Sequence, residues 1–582
     1  MSAPDALPDS LAPLEMALDQ DRGEGAHDNA ARSLLVDQGR LVRWQIASER
    51  AGVGLKLLSA LVGLAVAVAL AAMVVSATRS RTVVVEAFDA PPALAERGLS
   101  GKVMAGGVQD ALTTIQTALR TTASKRQVSN AWTGDIAVQV ASTGVSIGEI
   151  DRLLKAKLGH DTHVGGDLIQ NRNGSLALTV RGSGILPRTF TGGPDDLPKL
   201  SVQAAEYVYG SAEPYLFASY LAQRGRNEEA IAFIERVFPT APEAIRAGLA
   251  NSWANALGGM GDDPGAIAKY RLAIRLDPYF WKPRGNLIGA LWAVEGEESA
   301  YQEGRRMQAA IAARPRGSPA PELLDLQNFY PQVQDWRVMH DALVQDQATT
   351  NGGAGTLISG PAIADAATRL HDEAGADHAL VVSDPEDPVT VAQRALTPGW
   401  LALMDKGRPA DALAHMRAFD AQWRSEPDVS FTYLDGPCYV GLAYALNGLA
   451  AQAAEAFTRG GRQVACYAFQ ADALEAAGDR AGADAGYARA VRLAPSLPFA
   501  YQRWGLALER RGDLRGAAAK FAAAHQRGSH WADPLKSQGE VLAAQGRWRE
   551  AVAKYDAALK WAPNWARLRG VAAKAHAQAK RL

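Results

Sequence analysis

The strongest constraint on the fold is a repeat of 34 residues near the carboxyl end of the chain. A glycine, a small alanine, an aromatic residue and a second alanine each recur at this interval. The four sets are Gly478, Gly512 and Gly546, then Ala483, Ala517 and Ala551, then Tyr487, Phe521 and Tyr555, and finally Ala490, Ala524 and Ala558. Self-similarity at this period predicts stacked copies of one supersecondary unit instead of a single compact core.

Each unit is predicted to be two antiparallel helices joined at the glycine. Glycine adopts the left-handed turn conformation that a side chain would strain. The first alanine lets the two helices pack closely, and the aromatic residue one turn later fills the space towards the next unit. Pro495 and Pro563 stop the second helix in two of the units, and Ser529 takes the equivalent place in the third.

This pattern resembles the tetratricopeptide-repeat (TPR) family. The frame recurs earlier in the chain, at Gly225 with Ala230, Gly261 with Ala266, Gly407 with Ala412, and Gly448 with Ala453. We therefore expect a mainly α fold, in which a TPR helical-hairpin solenoid is preceded by a transmembrane helix and a small α+β domain. The expected parts are TPR-like repeats over 205–316, an irregular helical segment over 317–392, TPR repeats over 393–565, and a basic amphipathic capping helix over 566–582.

The TPR resemblance implies protein binding, because stacked first helices line a concave groove that accepts a peptide or a partner helix. The candidate groove residues, transferred by repeat position, are Asp472, Glu475, Gln502, Arg503, Leu506, Arg510, Lys536, Ser537 and Glu540. Lys536 occupies a position like that of a carboxylate clamp. Glu540 replaces the asparagine that such a clamp needs, which argues against clamping of a terminal carboxylate.

One uncharged apolar run, LLSALVGLAVAVALAAMVVSAT, extends from Leu57 to Thr78. A helix of about 22 residues is about 33 Å long, enough to cross the hydrocarbon core of a bilayer. A signal peptide is disfavoured because more than fifty residues precede the run, and a buried core helix because the run has no polar face. We expect a transmembrane helix over 53–78, in contact with lipid through 57–78.

Basic residues are more frequent before this span than after it. Arg40, Arg43, Arg50 and Lys56 precede it, whereas Arg79 and Arg81 follow it closely. The imbalance favours a cytoplasmic amino terminus and a periplasmic carboxyl-terminal part, as expected for a single-pass protein of the bacterial inner membrane. Small residues every four positions, Ser59, Gly63, Ala67 and Ala71, form a stripe that would suit a homodimer of this helix.

The regions beside the span differ in character. The leader, 1–52, starts with a Pro- and Asp-rich stretch expected to be disordered, followed by a helix over Ala31–Glu49. The leader is too short for a DNA-binding or cyclase domain with a linker. After the span, residues 82–195 predict a small α+β domain: strands at Thr82–Phe88, Asp135–Val140, His163–Gln170 and Ser175–Val180, and helices at Gly101–Arg120 and Ser146–Leu158.

Composition and motifs exclude several function classes. There are 61 basic and 62 acidic residues, so no nucleic-acid partner is expected. No catalytic, cofactor or metal site is expected either, since the nucleophile-elbow, P-loop and zinc-protease motifs are missing from the sequence. His160, Asp161 and His163 cluster at a helix end but lack the spacing of a zinc site, and a helix cap is the preferred interpretation.

Two sets of side chains have alternative interpretations. Cys438 and Cys466 are expected to be buried apolar thiols, because equivalent positions in neighbouring repeats are usually too far apart for a disulfide. The alternative is a bridge formed in an oxidising compartment. Among the tryptophans, Trp253 and Trp504 are expected in the helix packing, whereas turn or interface positions that suit partner contact are expected for Trp548, Trp561 and Trp565.

These observations favour a membrane-anchored interaction scaffold that is not an enzyme. The alternative is a regulatory or signalling subunit whose α+β domain senses a ligand or a partner. The two differ in whether residues 82–195 contain a ligand pocket.

Overall fold

The structure is a computed structural model that describes residues 60–119, 126–131, 157–349 and 354–581, with isolated residues at 36, 39, 40, 58, 154 and 155. Contacts divide the chain into two compact units. The first unit is 1–109, 126–170 and 179–188, and the second is 110–125, 171–178 and 189–582. We call the second the hairpin unit.

The first unit contains an apolar helix, α1 (Ala60–Arg79), of 20 residues with a mean hydropathy of 2.5. Only 6% of its most apolar part is buried inside the protein. Leu61, Leu64 and Val68 each expose more than half of their surface, at 63%, 62% and 61%. Among the described residues, α1 is the helix long and apolar enough to cross a membrane.

A five-stranded sheet follows α1 in the chain. Its strands are β1 (Val83–Val85), β2 (Val128–Asn130), β3 (Thr162–Gln170), β4 (Leu176–Gly182) and β5 (Ile185–Gly192), in the spatial order β2-β1-β3-β4-β5. β1 runs parallel to both β2 and β3, and Val83 and Val85 of β1 are fully buried. Helices α2 (Pro92–Ala95) and α3 (Gly101–Ala118) connect β1 to β2.

The sequence anticipated part of this sheet. β1, β3, β4 and α3 lie within or close to predicted elements. β2 and β5 were not predicted, because β2 has three residues and β5 contains Pro187 without a regular apolar alternation. The predicted strand Asp135–Val140, most of the predicted helix Ser146–Leu158 and most of the leader lie outside the described residues.

The hairpin unit consists of helices that pair with their neighbours in sequence. After α4 (Leu197–Ala212), the pairs are α5 and α6 (Pro214–Gln223, Asn227–Val237), α7 and α8 (Glu243–Gly259, Asp263–Leu276), and α9 and α10 (Lys282–Val294, Glu297–Ala312). α11 (Trp336–Thr349) precedes α12 and α13 (Ala354–Arg369, Glu373–Val381) and α14 and α15 (Pro388–Trp400, Pro409–Ser425). After α16 (Pro427–Thr432) come α17 and α18 (Gly436–Leu446, Ala450–Arg459), α19 and α20 (Val464–Ala476, Arg480–Leu493), α21 and α22 (Phe499–Arg510, Leu514–Arg527), α23 and α24 (Ala532–Ala544, Trp548–Leu559), and α25 (Ala566–Ala579).

The repeated residues have the packing roles that the sequence predicted. Gly478, Gly512 and Gly546 have φ angles of 88°, 85° and 73°, where a side chain would be strained. The repeated alanines are fully buried, and so are the aromatic residues, with Tyr555 the least enclosed at 2% exposure. A β carbon on Gly505 would lie 2.5 Å from the ring of Phe521, so the first helix leaves room for that ring. The mainly helical fold class is confirmed.

The expectation of two separate thiols was wrong. Cys438 and Cys466 form a disulfide, with their Cα atoms 4.5 Å apart. The second helix between them, α18, has 10 residues, whereas α20 and α22 have 14 each. The chain therefore returns early and brings the start of α19 close to the start of α17. Gly460 leaves room for the two sulfurs to meet, because a β carbon at this position would lie 2.2 Å from the sulfur of Cys466.

Residues far apart in the sequence also meet within the hairpin unit. We call these the closing contacts: Trp292 Nε1 to Gln463 Oε1 at 2.6 Å, Ser496 Oγ to Glu298 Oε1 at 2.7 Å, His530 Nδ1 to Asp335 Oδ2 at 2.8 Å, Asn564 Nδ2 to Asp372 Oδ2 at 2.6 Å, and Trp565 Nε1 to Asp405 Oδ1 at 2.7 Å. The stretch 292–405 therefore lies against the stretch 463–567.

Candidate protein-interaction surface

The nine candidate groove residues lie on three neighbouring first helices. α19 carries Asp472 and Glu475, α21 carries Gln502, Arg503, Leu506 and Arg510, and α23 carries Lys536, Ser537 and Glu540. Residues three or four apart share a helix face. The structure brings the polar members together in pairs across adjacent helices or along one helix.

Asp472 is the centre of a buried polar cluster. Its carboxylate accepts hydrogen bonds from the Tyr487 hydroxyl at 2.6 Å and from Arg503 Nε at 2.7 Å, and it lies 3.6 Å from the guanidinium of Arg510. Asp472 is 4% exposed. A carboxylate at this depth needs such partners, because an unpaired buried charge is strongly destabilising. The Arg503–Asp472 ion pair thereby joins α21 to α19.

Two more pairs connect α21 or its end to the neighbouring first helices. Arg511 Nε donates to both carboxylate oxygens of Glu475, at 2.9 and 3.0 Å. The hydrogen bonds and charge of Arg511 lower the pKa of Glu475 despite the opposing effect of burial. Gln502 Nε2 donates to Ser537 Oγ at 2.9 Å and links α21 to α23.

Lys536 and Glu540 form an ion pair along one face of α23, with Nζ and Oε2 2.6 Å apart. The Lys536 side chain is 9% exposed and that of Glu540 is 24% exposed. Glu509 lies close by, and burial together with the charge of Glu540 raises its pKa to about 7. The side chain of Arg510 keeps 51% of its surface exposed, so this end of the candidate surface is open to solvent.

Residues between 334 and 405 cover the other end of this surface. A small cavity of about 50 Å³ separates the two sides. Its walls include Trp336, Arg369 and Trp400 on one side and Gln502, Arg503 and Leu506 on the other. A space of this size admits a water-sized molecule, not a peptide side chain.

Arg369 is enclosed by aromatic rings. Its guanidinium carbon lies 4.6 Å from the ring centre of Tyr439, 5.4 Å from that of Trp336 and 5.5 Å from that of Trp400. Nε of Arg369 donates to Asp365 at 3.1 Å. The cation is 6% exposed and is stabilised by the carboxylate and by the faces of the rings.

His371 connects three hairpins. Nδ1 lies 3.3 Å from Asp405 and Nε2 lies 3.3 Å from Asp533, while the imidazole stacks on Trp565 with ring centres 3.6 Å apart. The side chain is 2% exposed. Burial alone would lower the pKa of His371, but the charges of Asp533 and Asp405 outweigh it and raise the pKa above 6.5.

A larger, open cleft of about 510 Å³ lies elsewhere in the hairpin unit. One wall comes from residues 301–335 and the other from residues 495–530. We call it the polar cleft.

The tryptophans are divided between the core and the closing contacts. Lys269 Nζ covers the ring of Trp253 at 3.2 Å, and Lys520 Nζ covers that of Trp504 at 3.3 Å. Trp561 stacks on His530 with ring centres 4.0 Å apart, and Trp565 stacks on His371. Trp548 is half-buried against the core of the last hairpin. Trp561 and Trp565 thus make interfaces inside this chain.

The His160–His163 cluster has a structural role in the first unit. Asp161 Oδ1 accepts hydrogen bonds from the Ser80 hydroxyl and from the backbone N–H of Thr82, both at 2.7 Å. His163 Nδ1 lies 3.1 Å from Glu86. These contacts connect the start of β3 to the residues around β1.

Sequence reasoning missed Arg369, His371 and Trp400. Arg369 and His371 belong to the irregular segment 317–392, where no repeat position could be assigned, and Trp400 lies at the start of the repeats expected over 393–565. The positive φ of His371, 57°, has no sequence signal comparable to a turn glycine. Their partners are brought close by the closing contacts, which the local sequence does not specify.

The fold and the paired first helices define a TPR-like solenoid of helical hairpins. No known protein family matches the sequence, and no curated protein matches it. Among solved structures, the chain is similar to the APC/C hetero-tetramer Cut9-Hcn1, with 14% identity, 65% of this chain and 80% of that chain covered, and a TM-score of 0.37. It is also similar to yeast Tom70, with 11% identity, 62% of this chain and 87% of that chain covered, and a TM-score of 0.27.

Proposed function

We propose that this chain is a membrane-anchored scaffold that binds protein partners through the hairpin unit and has no catalytic role. The proposal rests on one observation: the same chain contains an exposed apolar helix and a stack of helical hairpins. The anchor would concentrate the hairpin unit near partners at the membrane.

We place the anchor in a bacterial inner membrane, with residues 57–78 in lipid and the hairpin unit in the periplasm. The excess of basic residues before the span supports this orientation. The Cys438–Cys466 disulfide also supports it, because disulfides persist in oxidising compartments. Protease added to spheroplasts should digest the hairpin unit; full protection of an intact hairpin unit would reverse the orientation.

We propose that the anchor helix associates with a second copy. A β carbon on Gly63 would meet nothing within 4 Å, so that face of α1 is open for close approach. Replacing Gly63 and Ala67 by isoleucine should reduce dimer crosslinking in membranes. An unchanged yield of crosslinked dimer would exclude this helix face.

We propose that partners dock on the surface formed by Asp472, Glu475, Gln502, Arg503, Leu506, Arg510, Lys536, Ser537 and Glu540. Its exposed end, at Arg510 and Glu540, is the natural point of first contact. No nucleic-acid partner is proposed, because cations here are paired with carboxylates.

Crosslinking in native membranes followed by mass spectrometry tests the function directly. The double variant Lys536→Ala/Glu540→Ala removes both members of an ion pair and leaves no unpaired charge. We expect it to reduce partner capture while circular dichroism shows unchanged helical content. The matched control is Arg547→Ala/Glu550→Ala, an ion pair at the start of α24 whose side chains are 51% and 59% exposed. Unchanged capture by the first variant would reject this surface.

A further inference from the structure

The polar cleft is built by two stretches that are far apart in the sequence. Ser496 donates to Glu298 through Oγ at 2.7 Å and through its backbone N–H at 3.1 Å. On the other side, His530 Nδ1 lies 2.8 Å from Asp335 Oδ2. These closing contacts hold the two walls at a fixed separation, so the cleft of about 510 Å³ is a formed feature of the hairpin unit. Its volume is in the range of ligand sites.

One side of the cleft is apolar. Phe329 is 1% exposed, and its ring centre lies 5.9 Å from that of Tyr301. Val333 packs beside them in the same hydrophobic cluster. Phe329 is already enclosed, so the apolar surface open to a ligand comes from the half-buried Tyr301 and Val333. An aliphatic or aromatic side chain that packs on these two residues would stabilise a complex through the hydrophobic effect.

The rim of the cleft carries two arginines that make no ion pair among the described residues. Arg305 donates to the neutral amide of Gln308 at 2.7 Å. Arg527 donates to the backbone carbonyls of Pro495 at 2.6 Å and Ala523 at 2.9 Å. The one carboxylate in the lining, Asp335, already faces His530.

This arrangement differs from the candidate surface on α19, α21 and α23. There, Arg503 and Arg511 are matched by Asp472 and Glu475. In the cleft, Arg305 is exposed, whereas Arg527 is half-buried and its guanidinium lies 4.2 Å from the ring centre of Tyr501. Neither guanidinium forms an ion pair with an acid among the described residues. Guanidinium groups bind carboxylates with good geometry, so the cleft is electrostatically complementary to an acidic ligand.

We propose that the polar cleft binds an acidic segment of a protein partner. Carboxylates of the segment pair with Arg305 and Arg527, and an apolar side chain between them packs on Tyr301 and Val333. Two cations beside an apolar surface suit a short acidic peptide better than a nucleic acid, which needs a longer basic stripe. The inference rests on the proposed scaffold function and adds a second docking site with its own ligand chemistry.

Fluorescence anisotropy with the full-length protein in detergent micelles tests the proposal. The probe is a fluorescein-labelled peptide of six glutamates around a central leucine, and the reference probe has glutamines in place of the glutamates. We expect the acidic probe to bind more tightly than the reference and to lose affinity as salt increases. Absence of binding at millimolar concentrations of the acidic probe would overturn the proposal.

Arginine variants identify where the probe binds. Arg305→Gln and Arg527→Gln should each weaken binding roughly fivefold, and together roughly 25-fold if the two sites are independent. The matched control is Arg549→Gln, which removes the same charge from an exposed position of α24 outside the cleft. If the double variant and the wild type bind the probe with equal affinity, the cleft is not the binding site. The same follows if Arg549→Gln loses as much affinity for the probe as the cleft variants do.

Partner crosslinking separates this proposal from the broader one. If the chain captures protein partners in membranes but the Arg305→Gln/Arg527→Gln variant captures them equally well and no acidic probe binds, the cleft proposal fails and the scaffold function stands. If no protein partner is captured by the wild type, the scaffold function fails first.

Discussion

His371 is held between Asp405 and Asp533 and stacks on Trp565, so its protonation affects three hairpins at once. The ring centre of Trp400 lies 5.2 Å from that of His371, and Arg567 donates to the backbone carbonyl of Asp405 at 2.9 Å. The imidazolium is favoured in the folded chain because its pKa is raised above 6.5. The stabilisation is therefore fully present below the pKa of an unfolded histidine and is lost as pH rises through the folded pKa.

We expect the melting temperature of the full-length protein to fall as pH rises through this range. The free energy of unfolding should drop by about 1.4 kcal/mol for each unit by which the folded pKa exceeds the unfolded one. His371→Gln should lower stability at acidic pH and flatten this part of the profile. His340, which lies 3.1 Å from the half-exposed Asp341, provides a control as His340→Gln. A pH profile unchanged by His371→Gln would contradict the assignment.

At the scale of single elements, the Cys438–Cys466 bridge ties α17 to α19 across 28 residues of sequence. Closing a loop of this length is expected to stabilise the fold by about 3 to 4 kcal/mol, mainly by restricting the unfolded chain. Reduction during chemical unfolding should therefore shift the midpoint to lower denaturant. Cys438→Ala/Cys466→Ala should already show the lower midpoint and be insensitive to the reductant. If the reductant does not change the denaturant midpoint of the wild-type protein, the disulfide does not stabilise the fold.

The elements differ in how well the sequence predicts them. The last hairpins, α19 to α24, were predictable because their glycine, alanine and aromatic positions repeat in register. The disulfide was not, because it depends on the shortness of α18 and on Gly460 beside the sulfurs. The repeat indicated which helices carry the candidate groove residues, but the burial of their side chains could not be predicted. Trp336 and Arg369, which face Gln502, Arg503 and Leu506, come from the irregular segment 317–392, where no motif marks a position.

At the scale of the whole hairpin unit, the closing contacts and a bound partner compete for the candidate surface. Gln502, Arg503 and Leu506 share a cavity of about 50 Å³ with Trp336, Arg369 and Trp400, and Gln502 is 3% exposed. A partner that uses these residues must first separate the two stretches. Its observed affinity is then reduced by the fraction of molecules that are open.

Trp565→Ala tests this competition. Trp565 stacks on His371 and donates to Asp405, so its removal weakens the closed arrangement at two points. We expect faster hydrogen exchange in α19, α21 and α23 and increased partner capture in membranes, since the open fraction rises. Trp253→Ala is the matched control, because Trp253 packs on Phe238 and Lys269, which belong to its own hairpin and the preceding one. If Trp565→Ala accelerates exchange in these helices but capture falls or stays the same, partners bind the closed form and the buried part of the surface does not take part in docking.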